Sequence, residues 1–121
     1  MTVLAYDPLP AETVGVERVA WDELLARSDY LSLHLPLTPG TRHVMNDAAF
    51  QRMKPGAVLV NTSRGGLVDE AALLAALRSG QVGGALLDVL EQDPPPADHP
   101  FFGLENVLLT PHAAGVDTKS L

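Results

Sequence analysis

The sequence predicts an α/β fold built on a mainly parallel sheet, and three observations carry that prediction. Short apolar runs alternate with segments of about ten residues that read as helices. Runs such as Ala57–Val60 and Gly84–Val89 lack the in-out alternation of a half-exposed strand, which implies helices on both faces of the sheet. Arg64 and His112 each follow closely on such a run, and the carboxyl ends of parallel strands face one crevice.

The first run, Thr2–Tyr6, reads as a buried strand stopped by the Asp7-Pro8 turn. Val14–Val19 alternates weakly, as a brief edge strand does. Asp22–Arg27 sets Leu24 and Leu25 beside acids and Arg27, a short amphipathic helix. Tyr30–Leu35 is strand-like, and Pro36-Leu37-Thr38-Pro39-Gly40 breaks it. Asn46 or Asp47 can cap a helix running to about Met53, which Pro55-Gly56 ends. Ala57–Val60 is the most apolar strand, followed directly by Asn61-Thr62-Ser63-Arg64-Gly65-Gly66. Asp69 is an N-cap for a helix through Arg78, with Leu73, Leu74 and Leu77 on one face and Gly80 as its stop. Gly84–Val89 is the next strand, Glu91–Pro100 a proline-rich acidic loop, and Val107–Thr110 the last strand.

At 121 residues, 46% apolar and 19% charged, the chain has the size and composition of one ordinary globular domain. A net charge of −7 with no basic stripe argues against nucleic acid as a partner. The absence of cysteine rules out disulfides, thiolate metal sites and a cysteine nucleophile, and fits a reducing cytoplasm. No signal-peptide pattern opens the sequence, and the apolar helical run Ala71–Leu77 is far short of the roughly 20 residues of a membrane span.

Arg64 sits at a Gly-Gly turn, where backbone approaches a ligand closely and a planar guanidinium suits bidentate recognition of a carboxylate. A surface arginine paired with a nearby acid is the alternative. His112 follows Pro111 at a strand end, where an imidazole serves as general acid or base near neutral pH. Asp93 or Glu91 could be the carboxylate that orients such a histidine, or either could be solvated loop charge. Asp7 and Asp88 end strands: each is a turn or cap residue, or a hydrogen-bonding partner for a ligand. His34, His43 and His99 lack comparable support and read as bystanders.

Nearly the whole chain, Thr2–Gly115, resembles the later part of the cofactor domain of the D-isomer-specific 2-hydroxyacid dehydrogenases, which include phosphoglycerate dehydrogenases and glyoxylate/hydroxypyruvate reductases. The resemblance rests on Leu4-Ala5-Tyr6-Asp7-Pro8, Asp29 to Thr38, Met53-Lys54-Pro55-Gly56, Asn61 to Gly66, Gly84 to Val89 and Thr110-Pro111-His112, in that order. It implies that Arg64 binds the substrate carboxylate and carbonyl, and that His112 delivers or accepts the hydroxyl proton while hydride passes to or from nicotinamide C4. It implies further that Asp7 holds the adenosine ribose and favours NAD over NADP. Leu35, Pro36 and Thr41 would line the adenosine side, with Thr62 and Asp88 near the nicotinamide ring. The family's histidine partner is usually glutamate five positions after the strand-ending aspartate; here that position holds Asp93, one methylene shorter.

The resemblance also sets expectations for the whole chain. The family's domain opens with a strand, a Gly-x-Gly-x-x-Gly turn and a helix that holds the pyrophosphate, and this sequence contains no such motif. Residues 1–121 therefore read as a partial NAD-binding domain without its substrate domain, weak in dinucleotide binding and weak or inactive alone. Its partner would be a small 2-hydroxy or 2-keto acid, with no membrane contact. A non-catalytic association or regulatory module is the alternative. The expected architecture is a three-layer, Rossmann-like sheet lacking the first strand. Either the gap closes to give the order 2-1-3-4-5, or another chain fills it in a homo-oligomer.

Overall fold

In the computed structural model, which describes residues 2–6, 16–92 and 95–110, every strand pairing is parallel. The elements run β1 (Leu4–Ala5), β2 (Glu17–Arg18), α1 (Trp21–Arg27), β3 (Tyr30–Leu33), α2 (Asp47–Arg52), β4 (Ala57–Asn61), α3 (Glu70–Ser79), β5 (Val82–Leu87) and β6 (Val107–Leu109). Single 3-10 turns lie at Gly65–Leu67 and Pro100–Gly103.

Local chemistry sets the boundaries. Asn46 rather than Asp47 caps α2, accepting the Ala49 amide at 3.0 Å. Asp69 caps α3 by accepting the Ala72 amide at 3.3 Å, and Gly80 ends it in the left-handed region at φ 83°. The β5 strand starts at Val82, two residues before the apolar run suggests. The register slips between Ala57 and Val58, so that Ala57 pairs with Val82 and Val58 with Gly84, leaving Gly83 as a bulge. A side chain at Gly83 would run into the Gly56 carbonyl, so only glycine lets the two backbones approach here.

Strands β3-β4-β5-β6 form one sheet in sequence order, while β1 and β2 form a separate ribbon. Among the described residues the gap therefore does not close: β1 pairs with Glu17–Arg18 and not with β3, so the 2-1-3-4-5 order does not form there. The ribbon is tied to α1, since Arg27 Nη1 at the end of that helix is 2.7 Å from Glu17 Oε2 and the Tyr6 and Trp21 rings pack with centroids 5.6 Å apart. Leu24 and Leu25 of α1 are themselves buried in the core, so shifting the ribbon to β3 would break these contacts.

Among the described residues the helices cover one face of the sheet. Register rows Leu31–Leu59–Ala85–Val107 and Leu33–Asn61–Leu87–Leu109 share one face, buried or half-buried. Against it, in a single core, pack Leu24 and Leu25 of α1, Ala49 and Phe50 of α2, and Leu73, Ala76 and Leu77 of α3. The opposite row, Ser32–Val60–Leu86–Leu108, stays open among the described residues, with Leu108 58% and nearby Tyr30 76% exposed. Apolar side chains on both faces of a strand show what it could bury, whereas the described helices all lie on one side.

Candidate functional site

The in-register row Leu33, Asn61, Leu87 and Leu109 ends four parallel strands at one level, so His34, Thr62, Asp88 and Thr110 follow along a single carboxyl edge. The ladder carries on into these residues, with the Asp88 amide donating to the Asn61 carbonyl and the Thr110 amide to the Leu87 carbonyl, each at 3.0 Å. Asp88 is only 6% exposed, and the Thr110 hydroxyl donates to its carboxylate. This places a buried carboxyl group in the middle of the edge, held by Thr110.

Asn61 builds the turn that carries Arg64. Its buried side chain accepts the Ser63 amide at 3.1 Å and donates to the Arg64 carbonyl at 2.9 Å. The Ser63 hydroxyl donates to the Leu35 carbonyl at 3.0 Å, joining the β4 turn to the loop after β3. The guanidinium of Arg64 is exposed, bonded through Nη1 to the Ser63 carbonyl at 3.2 Å, and no described carboxylate pairs with it. The paired-surface-arginine alternative is therefore not what the described residues form. A cation at this edge, unneutralised by the acids described, is free to take an anion.

The loop after β3 has the half-buried Leu35, the exposed Pro36 and the half-buried Thr41, whose hydroxyl donates to the Pro36 carbonyl at 2.6 Å. Thr62 is exposed at the same edge, next in the chain to Arg64's turn. Asp7, Asp93 and His112 lie outside the described residues.

The histidines read as bystanders each make a side-chain hydrogen bond. His34 Nε2 is hydrogen-bonded to Ser32 Oγ at 2.8 Å. His43 Nε2 lies 2.6 Å from Glu91 Oε1, and its backbone is left-handed at φ 54°. His99 is nearly buried, with Nε2 2.8 Å from Glu70 Oε1, while its Nδ1 accepts the Phe101 amide at 3.2 Å. Because Nδ1 accepts, a neutral His99 carries its proton on Nε2 and donates it to Glu70. Nothing local in the sequence marks these pairs: the partners are 48 and 29 residues apart.

The donor set fits a nicotinamide dinucleotide in part. A buried carboxylate stands at the strand ends beside Thr110 and Thr62, but the described residues hold no glycine-rich turn opening a helix for the pyrophosphate.

Comparison with known proteins follows the same line. Residues 1–114 match the family described as D-isomer specific 2-hydroxyacid dehydrogenase, NAD binding domain. The chain is 47% identical to a (S)-sulfolactate dehydrogenase of Chromohalobacter salexigens, over 99% of this chain and 40% of that protein. It is 50% identical to a glyoxylate reductase of Korarchaeum cryptofilum, over 99% of this chain and 37% of that one. Among solved structures, a D-isomer specific 2-hydroxyacid dehydrogenase of Xanthobacter autotrophicus Py2 in complex with NADPH and MES superposes with TM-score 0.91 at 41% identity. That match covers 95% of this chain and 49% of the other. The chain thus spans no more than about 40% of these curated relatives.

Proposed function

This chain belongs to the D-isomer specific 2-hydroxyacid dehydrogenases through their NAD-binding domain, and we propose that residues 1–121 are the part of such an enzyme that binds NAD and presents the acid-binding arginine. The substrates are small 2-hydroxy or 2-keto acids. The observation that carries this reading is the single carboxyl edge, where Asp88, Thr62 and Thr110 stand at the ends of aligned strands with Arg64 two residues beyond Thr62.

A nicotinamide dinucleotide, when bound, supplies the hydride acceptor or donor. The chain's own residues supply the rest. Arg64 holds the substrate carboxylate by charge-assisted hydrogen bonds and steadies the carbonyl oxygen. His112 moves a proton to or from that oxygen, and Asp93 orients and charges the imidazole, one methylene short of the family's glutamate. Asp88 accepts from the carboxamide, with Thr110 fixing its rotamer. Asp7 accepts from the ribose hydroxyls and disfavours a 2′-phosphate. The sequence contains no glycine-rich phosphate motif, so binding is weak and turnover by these residues alone is slow or absent.

Titration of the chain with NADH, followed by fluorescence and calorimetry, tests the reading. Saturable binding is expected, weaker for NADPH and weaker again in Asp7→Ala. No binding at millimolar NADH would overturn it. The exposed Tyr30, Leu86 and Leu108 on the open face favour a second role in association, with another copy of this chain as the partner.

A further inference from the structure

Glu70 uses both oxygens of one carboxylate to hold two points of the segment after β5. Oε1 lies 2.8 Å from His99 Nε2 and Oε2 accepts the Glu91 amide at 2.7 Å. Capping of α3 does not require it, since Asp69 is the N-cap. A glutamate serving only the helix dipole would stay solvated; the side chain of Glu70 is instead 20% exposed and doubly bonded.

The Glu91 amide matters because of what precedes it. A side chain at Gly65 would collide with the Leu90 carbonyl and the Glu91 nitrogen, so the Arg64–Gly65 turn lies directly against this backbone. The carboxylate of Glu91 reaches the other way, to His43 Nε2 at 2.6 Å, and the His43 amide donates to the Gly66 carbonyl at 2.9 Å. The His43 backbone itself is left-handed, at φ 54°. The turn bearing Arg64 is therefore enclosed: Asn61 holds it from β4, His43 from one side, and the Leu90–Glu91 backbone, pinned by Glu70, from the other.

We propose that Glu70 is a positioning residue for Arg64, acting through the Leu90–Glu91 backbone on Gly65. The proposal rests on the assignment of Arg64 as the carboxylate-binding residue. Without the Glu70 link, Leu90 and Glu91 can move off Gly65, and the turn loses the surface that fixes the direction of the guanidinium.

Two substitutions separate this from a general effect of charge or stability. Glu70→Ala removes both links while Asp69 keeps the helix capped. Glu70→Gln keeps one carbonyl acceptor for the Glu91 amide, but its NH2 then meets the protonated Nε2 of His99. Glutamine thus preserves the Glu91 link, loses the His99 link and removes the charge.

The experiment is amide hydrogen exchange by NMR on the 121-residue chain, with the Arg64 Nε–H resonance followed during titration with oxalate. The Glu91 amide reports the link itself. The Leu67 amide, which donates to the Arg64 carbonyl at 3.2 Å, reports the turn. In Glu70→Ala both amides should exchange at least about tenfold faster, the scale set by one charged hydrogen bond. Oxalate should bind more weakly there, while Glu70→Gln stays close to the native chain in all three readouts. An unchanged Leu67 amide in Glu70→Ala would overturn the proposal, as would a Gln variant as impaired as Ala. A native Arg64 resonance indifferent to oxalate would refute the carboxylate-binding assignment on which the proposal rests, and the proposal with it. Exchange at Glu91 and Leu67 would still show whether Glu70 holds the turn, so the two failures are distinguishable.

Discussion

Arg64 and Gly65 form a unit in which one residue supplies chemistry and its neighbour supplies the fit. Replacing Arg64 by Lys keeps the charge but loses the planar fork, so oxalate affinity should fall by about tenfold, read as the Kd in calorimetry. Gly65→Ala acts differently. Its added Cβ meets the Leu90 carbonyl and Glu91 nitrogen, which are backbone atoms that cannot swing aside as a flexible side chain does. The variant should weaken oxalate binding as strongly as Arg64→Lys although the guanidinium is untouched. Native affinity in Gly65→Ala would show that the Leu90 contact has no bearing on the site. The sequence marks Arg64 by its Gly-Gly turn, and Asn61 belongs to the same motif; what else holds that turn was invisible, because His43 and Glu70 come from separate parts of the chain that only the fold brings together.

At the scale of elements, caps and breakers were legible because they act within a few residues. Asp69 shows this: Asp69→Ala should cost about 0.5–2 kcal/mol of stability, measured by urea unfolding. The attachment of β2 to α1 depends on Glu17 and Arg27. Hydrogen bonding to Arg27, with the attraction of its charge, holds the Glu17 carboxyl below its ordinary value, and the guanidinium is held correspondingly above its own. A lowered folded-state pKa means the stabilisation is present above the ordinary carboxylate range and disappears as pH falls through the lowered value. Arg27→Ala should return Glu17 to the ordinary range in an NMR titration, and in acid the β1–β2 ribbon of the native chain should be among the first parts to loosen. The pair lies on the surface, so its removal should leave the unfolding midpoint of the main sheet nearly unchanged.

At the largest scale, the described residues share one core between the sheet and three helices, and stability rests on it. Phe50 has no exposed surface and sits where α2 meets that core; Phe50→Ala should cost about 3–5 kcal/mol in urea unfolding. The opposite face offers the reverse case. Leu86 and Leu108 are exposed there, so Lys at both positions should change stability by no more than about 0.5 kcal/mol. The same pair of substitutions should shift the sedimentation coefficient toward that of a monomer if copies associate through this face. An unchanged distribution would remove the apolar face as an association surface. The unpaired edge of β3 is the other place where a second copy could add a strand.

What the sequence by itself determined was the succession of elements, their caps and the identity of the carboxyl-edge residues, since strand periodicity, turn chemistry and motif spacing are all local. Tertiary structure decided three things. Ribbon β1–β2 stays apart from β3, held by α1 through Arg27 and Trp21. The three described helices fall on one face, because burial depends on which partner is present and not on how apolar a strand is. His43 and His99 become anchors of the segment after β5, through carboxylates 48 and 29 residues away, a pairing that no pattern along the chain can encode.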